Sequence, residues 1–358
     1  MQPFTLQIGN LTPKWPIIQG GMGVGISLSR LAGAVAASGG VGVISAAQPG
    51  YNWDGFDTDP LGTNLKALAY HIAEGIRIAA GGIVGVNIMC AARDYAVYVR
   101  ATVEAGAHLI ISGAGLPAEL PELTAGSPVK IAPIVSSAKA AKVLLTLWDR
   151  RYGRTADLVV IEGPKAGGHL GFTAEEAVSD RDYLPEIQAV QQVVADFGEK
   201  YDRNIPVVFG GGLFDSGDIA RCLGSGLDGV QMATRFVATE ECDAHPNYKK
   251  AYVTATPEDI TIIKSPVGMP GRALRNPFVE VTEGGRVPIR RCWRCLKHCD
   301  PSTAPYCISQ ALIDAAAGRM DEGLIFSGSE VGRIHGITTV PELMRELTGE
   351  DKTDRPKV

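Results

Sequence analysis

One histidine in the sequence has neighbours suited to proton transfer. His169 follows a short apolar run and is flanked by Gly167, Gly168 and Gly171 in the segment EGPKAGGHLG. Glycines let the backbone approach a ligand closely, and an imidazole with its ordinary pKa near neutrality can take up or release a proton at pH 7. A histidine that only caps the loop is the structural alternative. We expect His169 to be the catalytic residue.

Two glycine-rich or small-residue turns are suited to holding a phosphate. Both follow short apolar runs, one in the segment FGGG at 209–212 and the other in QMAT at 231–234. Backbone N–H groups in such turns, with a threonine hydroxyl, can surround an anion. A tight turn without a ligand is the alternative for either segment alone. The predicted phosphate-binding residues are Gly211, Gly212, Ala233 and Thr234.

Four of the seven cysteines lie close together in the sequence. Cys292 and Cys295 form a C-x₂-C pair, and Cys299 and Cys307 follow at short intervals. In a reducing compartment this grouping indicates a metal or redox site more than a disulfide framework. Four thiols can bind Zn²⁺ or an iron–sulfur cluster, although the spacing matches neither a zinc ribbon nor a ferredoxin. Reduced cysteines that pack without a metal are the third interpretation.

The elements that position these residues repeat eight times along the first two thirds of the chain. Short apolar, β-branched runs bounded by Gly, Pro or Ser are typical of buried parallel strands, and stretches of helical length separate most of them. Eight alternations favour a closed (β/α)₈ TIM barrel over a doubly wound open sheet, which usually has fewer strands. A Rossmann-like domain with an extra domain is the alternative. The predicted strands are 17–19, 42–45, 84–87, 109–112, 130–135, 158–162, 207–210 and 229–232.

Barrel enzymes place their active sites at the C-terminal ends of the strands. Glycines at 20–23 follow the first predicted strand, Asn87 ends the third, and His169 comes soon after the sixth. The segment 49–62 after the second strand is either part of the substrate wall or a solvated loop. We predict a barrel over residues 1–240 that binds a phosphate-bearing ligand at its mouth. A C-terminal extension over 241–358, containing the cysteine cluster at 292–307, is predicted to pack on the barrel mouth.

Composition limits the classes of partner. The 358 residues have a formal net charge of -5, which gives no basic stripe for a nucleic-acid backbone. No apolar stretch approaches the roughly 20 residues that span a bilayer, and no signal peptide opens the sequence. We therefore expect a cytoplasmic enzyme that acts on a small-molecule or acyl-thioester substrate. The oligomeric state stays open, with a homodimer as one option.

The motifs together resemble one family of flavoenzymes. The chain is similar to the nitronate monooxygenases and to the FMN-dependent enoyl-acyl-carrier-protein reductases, which share an FMN-binding fold. The resemblance rests on PIIQGGMG at 16–23, GVN at 85–87, EGPKAGGHLG at 162–171, FGGG at 209–212 and DGVQMATRF at 228–236. The cysteine-rich tail departs from both patterns.

The resemblance implies a role for each matching position. His169 falls on the family's catalytic histidine, and the phosphate residues named above fall on the family's phosphate site. The other residues expected to contact the FMN are Gly21, Met22, Asn87, Glu162, Ala166, Gly167, Gly168 and Met232.

Two activities follow from the resemblance. The first is nitronate monooxygenase-type oxidation of a small nitronate, with His169 as general base and no nicotinamide. The alternative is an NAD(P)H-dependent reductase of an enoyl thioester or quinone, with His169 as proton donor. A flavin-binding regulatory or storage protein is a third, non-enzymatic interpretation, which explains the strand-end histidine less well.

Overall fold

The computed structural model describes residues 5–350, and eight parallel strands in it close into a barrel. Every neighbouring pair in the barrel is parallel, and the last strand returns to pair with the first. The predicted (β/α)₈ architecture is therefore confirmed. The barrel strands are β1 (Ile17–Gln19), β2 (Val41–Ser45), β3 (Ile83–Met89), β4 (Leu109–Gly113), β5 (Lys130–Val135), β6 (Val159–Glu162), β8 (Val207–Gly210) and β9 (Gly229–Met232).

Helices alternate with these strands and cover the outside of the barrel. Four further helices and two short 3₁₀ turns, Pro257–Asp259 and Val331–Arg333, follow in the described part of the C-terminal third. Within residues 5–350 no helix has the length and apolar character to cross a bilayer. The helices are α1 (Ser29–Ala37), α2 (Pro60–Ala79), α3 (Tyr95–Glu104), α4 (Leu120–Leu123), α5 (Ala138–Tyr152), α6 (Ala174–Ala177), α7 (Leu184–Lys200), α8 (Ser216–Gly224), α9 (Thr234–Val237), α10 (Pro246–Thr254), α11 (Pro277–Gly284), α12 (Ile308–Ala316) and α13 (Val340–Thr348).

A second, smaller sheet joins the C-terminal third to the barrel loops. Strands β10 (Ile260–Lys264) and β11 (Pro270–Leu274) form an antiparallel hairpin, and β11 also pairs with the two-residue strand β7 (Gly168–His169). The sequence did not indicate this sheet, because β7 is too short and too rich in glycine to show a strand pattern. The residues after 240 thus contact the barrel at the segment that contains His169.

The predicted division into a barrel and an extension stays a prediction. Residues 1–4 and 351–358, at the outer ends of the two predicted ranges, lie outside the described residues. Residues after 240 nevertheless contact the segments that follow the barrel strands. An antiparallel bridge joins Leu296 to Ala92, which follows β3, and Ala273 is bridged to Phe326.

Close packing of α1 on the barrel depends on one glycine in β2. A Cβ atom built at Gly42 would overlap the carbonyl oxygen and carbonyl carbon of Ala32 in α1. Both partners are backbone atoms, so the overlap could be relieved only by moving the helix. The glycine therefore sets how near α1 lies to the sheet.

We expect the Gly42→Ala substitution to lower the free energy of unfolding by about 3 kcal/mol or more, because overpacking against backbone forces the helix outward. Gly224→Ala is the matched control, since a Cβ at this helix end meets no atom within 4 Å. That control should change the free energy by less than about 1 kcal/mol. Urea unfolding of both variants is the measurement, and equal stabilities would contradict the packing argument.

Candidate active site

The C-terminal ends of the barrel strands surround a cavity of about 240 Å³. All residues that the sequence predicted for the flavin and for catalysis lie on its wall, although they come from five separate segments. They are Gly21, Met22, Asn87, Glu162, Ala166, Gly167, Gly168, His169, Gly211, Gly212, Met232, Ala233 and Thr234.

Glycines shape this cavity by leaving space that side chains would fill. A Cβ at Gly21 would clash with the Asn87 side chain. Gly211 has φ +122°, and a Cβ there would lie 2.9 Å from the backbone nitrogen of Ala166. Within residues 5–350 no intramolecular hydrogen bond uses the N–H of Gly211 or Gly212. Two free donors beside Thr234 fit a bound phosphate.

The C-terminal third completes this end of the cavity. The N–H of Gly328 donates to Thr234 Oγ1 at 3.1 Å, and the N–H of Ser329 donates to the Lys165 carbonyl at 3.2 Å. The backbone at Ser327 and Gly328 also packs so closely on Gly167 that a Cβ at Gly167 would clash. The phosphate end is therefore built jointly by the barrel loops and by residues 327–329.

His169 is held by contacts on two sides. Its backbone pairs with Gly271 of β11, and its Nε2 lies 2.7 Å from the hydroxyl of Ser265. The edge of the imidazole meets the ring of Phe326, with 4.9 Å between ring centroids. These contacts come from three places in the C-terminal third and leave the imidazole little freedom to turn.

Burial among protein atoms lowers the pKa of His169 to about 4. The cause is desolvation, which disfavours the charged imidazolium, and no carboxylate opposes it. At neutral pH the ring is therefore uncharged. A neutral imidazole is ready to accept a proton, whereas very little imidazolium is available to donate one.

Glu162, at the end of β6, also has an altered pKa. Burial raises the pKa of Glu162 to about 7. A hydrogen bond from the N–H of Gly171 at 3.0 Å and the charge of Arg272 oppose this shift because they favour the carboxylate. Both protonation states are therefore populated near neutral pH. The side chain can donate a hydrogen bond in one state and only accept in the other.

The buried Arg272 braces the loop between Glu162 and His169. Its guanidinium donates to three backbone carbonyls, those of Pro164, Ala166 and Ala177. Charged donors form the stronger class of hydrogen bond, and here they fix a loop that has few side chains of its own. Arg272 pairs with Gly168 in the sheet, so one residue holds both ends of the loop.

A second, mostly apolar cavity of about 100 Å³ adjoins the first. His169, Asn87, Ser45, Ala47, Met89 and Leu312 line both cavities, so the imidazole lies at their boundary. The rest of the wall of this apolar cavity includes Leu61, Ile88, Tyr98, Val267, Trp293, Leu296 and Ile308.

The loop before α2 contributes to the wall of the apolar cavity. Phe56 is buried and stacks on Trp293, with 4.7 Å between ring centroids, and Arg291 forms an ion pair with Asp57 at 2.9 Å. The segment predicted as a loop over 49–62 ends at Asp59, because the Asp59 side chain accepts a hydrogen bond from the N–H of Gly62 and caps α2. These contacts join the loop to the cysteine-containing segment.

Sequence reasoning missed the residues that support His169. Ser265, Arg272 and Phe326 lie in segments whose pattern is irregular, and they are far from His169 along the chain. Arg272 lies in the segment GRALRNPF at 271–278, whose pattern does not indicate a contact with His169. A pairing between this segment and the loop around His169 gave no signal in a single sequence.

The four clustered cysteines line one small cavity, but the structure does not show a site for a single metal ion. Cys292, Cys295, Cys299 and Cys307 all border it. Within the described part of the chain, no three His, Cys, Asp or Glu side chains are arranged to hold a metal ion together. The zinc or iron–sulfur site predicted at these four cysteines therefore stays a prediction.

Comparison with known proteins settles the family. A family model for nitronate monooxygenases matches residues 5–350. The chain belongs to the nitronate monooxygenase family. The resemblance found in its motifs is thereby confirmed.

Several solved structures are similar to the chain. FabK from Thermotoga maritima is 26% identical with a TM-score of 0.71, and the match covers 95% of this chain and 94% of FabK. Nitroalkane oxidase from Streptomyces ansochromogenes is 21% identical with a TM-score of 0.69. The match covers 95% of this chain and 97% of the oxidase, and at this identity it supports the fold alone.

A carboxyl-CoA dehydrogenase is also similar in sequence. The hydroxy-methyl-oxo-octahydro-indene-carboxyl-CoA dehydrogenase of Mycobacterium tuberculosis is 28% identical over 270 residues. That match covers 75% of this chain but 66% of the dehydrogenase, so the chain spans slightly less than two thirds of that relative. Family and relatives together place the chain among oxidoreductase enzymes.

The glycine geometry predicts how flavin content responds to substitution. We expect Gly211→Val to abolish FMN binding, because the side chain would enter the phosphate end and the residue would leave its positive φ. Gly336→Val, at an open position with no atom within 4 Å, is the control and should keep its flavin. FMN per chain after purification is the measurement. Full occupancy in the Gly211 variant would place the phosphate elsewhere.

Proposed function

We propose that the protein is an FMN-dependent oxidoreductase that oxidises a small nitronate or the neutral nitroalkane from which it forms, with His169 as the general base that deprotonates the nitroalkane. The observation that supports this most is the position of an uncharged imidazole at the boundary between the glycine-lined cavity and the apolar cavity. A base placed there reaches a substrate on one side and a flavin on the other.

The wall of the larger cavity fits FMN. Because Gly21 has no Cβ, a flat ring could lie close to the backbone there. The free N–H groups of Gly211 and Gly212 could donate hydrogen bonds to a phosphate. Thr234 lies beside them on the same wall. When bound, FMN would accept the pair of electrons that leaves the substrate.

Ser265 pairs with Nε2 of His169, so Nδ1 is the nitrogen proposed as the base. The Ser265 hydroxyl oxygen already accepts from the N–H of Val267 at 3.2 Å and can accept a second bond from Nε2–H. This tautomer leaves the lone pair on Nδ1. In the proposed reaction Nδ1 takes the proton from the substrate carbon next to the nitro group, and Ser265 is a positioning residue.

The apolar cavity would hold the body of the substrate. Its wall contains aliphatic and aromatic side chains and excludes water from the bond that is broken. Asn87 lines both cavities and offers an amide N–H group for a polar substrate oxygen. An alkyl chain with one polar end matches this distribution of groups.

A second candidate is the NAD(P)H-dependent reduction of an enoyl thioester. It is favoured by the positive charge at the apolar cavity, where Arg294 lies on the wall and Arg93 and Lys297 lie close by. Residues 286–299 contain five Arg or Lys and no acidic residue. Such charge suits the phosphates of a thioester carrier. The carboxyl-CoA dehydrogenase among the relatives supports the same substrate class.

Removal of the proposed base should lower turnover and leave FMN binding unchanged. We expect His169→Ala to keep its FMN and to lose about 10² to 10⁴ in turnover of a neutral nitroalkane, the usual range for a general base. His335→Ala, at an exposed position, is the control. Normal activity per bound flavin in the His169 variant would contradict the mechanism.

The pH profile is a further readout of His169. A base whose pKa is lowered to about 4 stays active until the pH falls through that value, whereas an ordinary imidazole loses activity near pH 6.5. We therefore expect kcat/KM for a neutral nitroalkane to stay level from neutrality down to about pH 5. A fall centred near 6.5 would show that His169 is protonated in its ordinary range.

Anaerobic stopped-flow mixing distinguishes the two candidate functions. Oxidation of a nitronate should bleach the flavin absorbance when propyl nitronate is added without any nicotinamide. NADH and NADPH are mixed in separate arms. Rapid bleaching by either nucleotide, with none by the nitronate, would support the thioester reductase and contradict the first proposal.

A further inference from the structure

The four clustered cysteines have no role of their own in either candidate function. Four thiols, those of Cys292, Cys295, Cys299 and Cys307, surround one small cavity, yet no three of them can share a single ion. A tetrahedral zinc ion would need its sulfurs about 2.3 Å from one point. Four cysteines that border one space without sharing a single ion leave room for a cofactor with more than one metal.

Local backbone geometry around the first cysteine resembles that of a metal-binding turn. The N–H of Arg294 donates to Cys292 Sγ at 3.4 Å, which is a hydrogen bond to a cysteine sulfur within the C-x₂-C pair. Arg294 has φ +51°, an uncommon conformation for a residue that is not glycine. The turn thus directs a donor at sulfur, and hydrogen bonds to sulfur stabilise bound thiolates.

The other thiols lie beside positive groups, although burial raises the pKa of Cys295, Cys299 and Cys307. Cys307 immediately precedes α12, so its sulfur lies near the positive end of a nine-residue helix. Arg93 and Arg294 line the same cavity as the four cysteines. The rest of the wall is apolar and consists of Ile289, Trp293, Leu296, Pro301 and Ile308.

We propose that Cys292, Cys295, Cys299 and Cys307 bind a [4Fe–4S] cluster. In such a cluster each thiolate binds a different iron, so the four sulfurs surround a core instead of a point. Four cysteines on the wall of one cavity fit this geometry, which does not require any three of them to share one ion. The proposal does not depend on the identity of the substrate.

The cluster site is joined to the wall of the apolar cavity. Trp293, Cys295, Leu296 and Ile308 border both the cysteine cavity and the apolar cavity. Backbone hydrogen bonds fix this segment to the barrel, from Arg93 N–H to the Cys295 carbonyl and from Lys297 N–H to the Ala91 carbonyl, each at 3.0 Å. The cluster would therefore hold one wall of the apolar cavity in place.

The test begins with the full-length protein purified without oxygen. Iron and acid-labile sulfide are measured together with zinc and FMN, and an EPR spectrum is recorded after reduction with dithionite. We expect about four irons and four sulfides per chain and the EPR signal of a reduced cluster. Zinc near one per chain, or four freely titrating thiols without metal, would overturn the proposal.

Variants assign the cluster to these residues. Cys292→Ser changes an exposed side chain, so it should keep the fold and the FMN content while iron and sulfide fall to a small fraction of the wild-type values. Cys222→Ser, outside the cluster, is the matched control and should retain both. Unchanged iron and sulfide in Cys292→Ser and in Cys299→Ser would place the cluster elsewhere and contradict the assignment.

Discussion

His169 depends on a short β-ladder that joins two distant parts of the chain. Strand β7 has two residues, and only its pairing with β11 gives it a fixed direction. The same ladder brings Ser265 to the imidazole and Arg272 to the loop carbonyls. Without these partners the glycines around His169 would leave the loop free to adopt many conformations. The glycine-lined cavity and the apolar cavity meet where this ladder holds the imidazole.

Burial on the wall of the glycine-lined cavity has two electrostatic consequences. It keeps His169 uncharged at neutral pH, and it raises the pKa of Glu162 into the neutral range. Both shifts have the same cause, because desolvation disfavours whichever form is charged. A base that remains neutral and a carboxyl that can hold a proton lie on the wall of one cavity. This combination suits chemistry in which a carbon acid loses a proton.

Much of the barrel could be predicted from sequence, since buried parallel strands appear as short apolar runs bounded by glycine or proline. The residues at the strand ends followed from the same count, because all parallel strands end on one face. Ser265, Arg272 and Phe326 could not be predicted. Their roles depend on contacts between distant segments, and neither spacing nor hydropathy records such contacts. The cysteine spacing indicated a cluster of thiols, but only the structure shows that all four border one cavity.

The most direct test of this account is a crystal structure of the FMN-loaded protein with an unreactive alkyl ligand that ends in a polar group. The account predicts that the phosphate accepts hydrogen bonds from the N–H groups of Gly211 and Gly212. The alkyl body should occupy the cavity lined by Leu61 and Trp293, with the carbon beside the polar group facing Nδ1 of His169. A flavin phosphate bound elsewhere, or a ligand out of reach of that imidazole, would contradict the central claim.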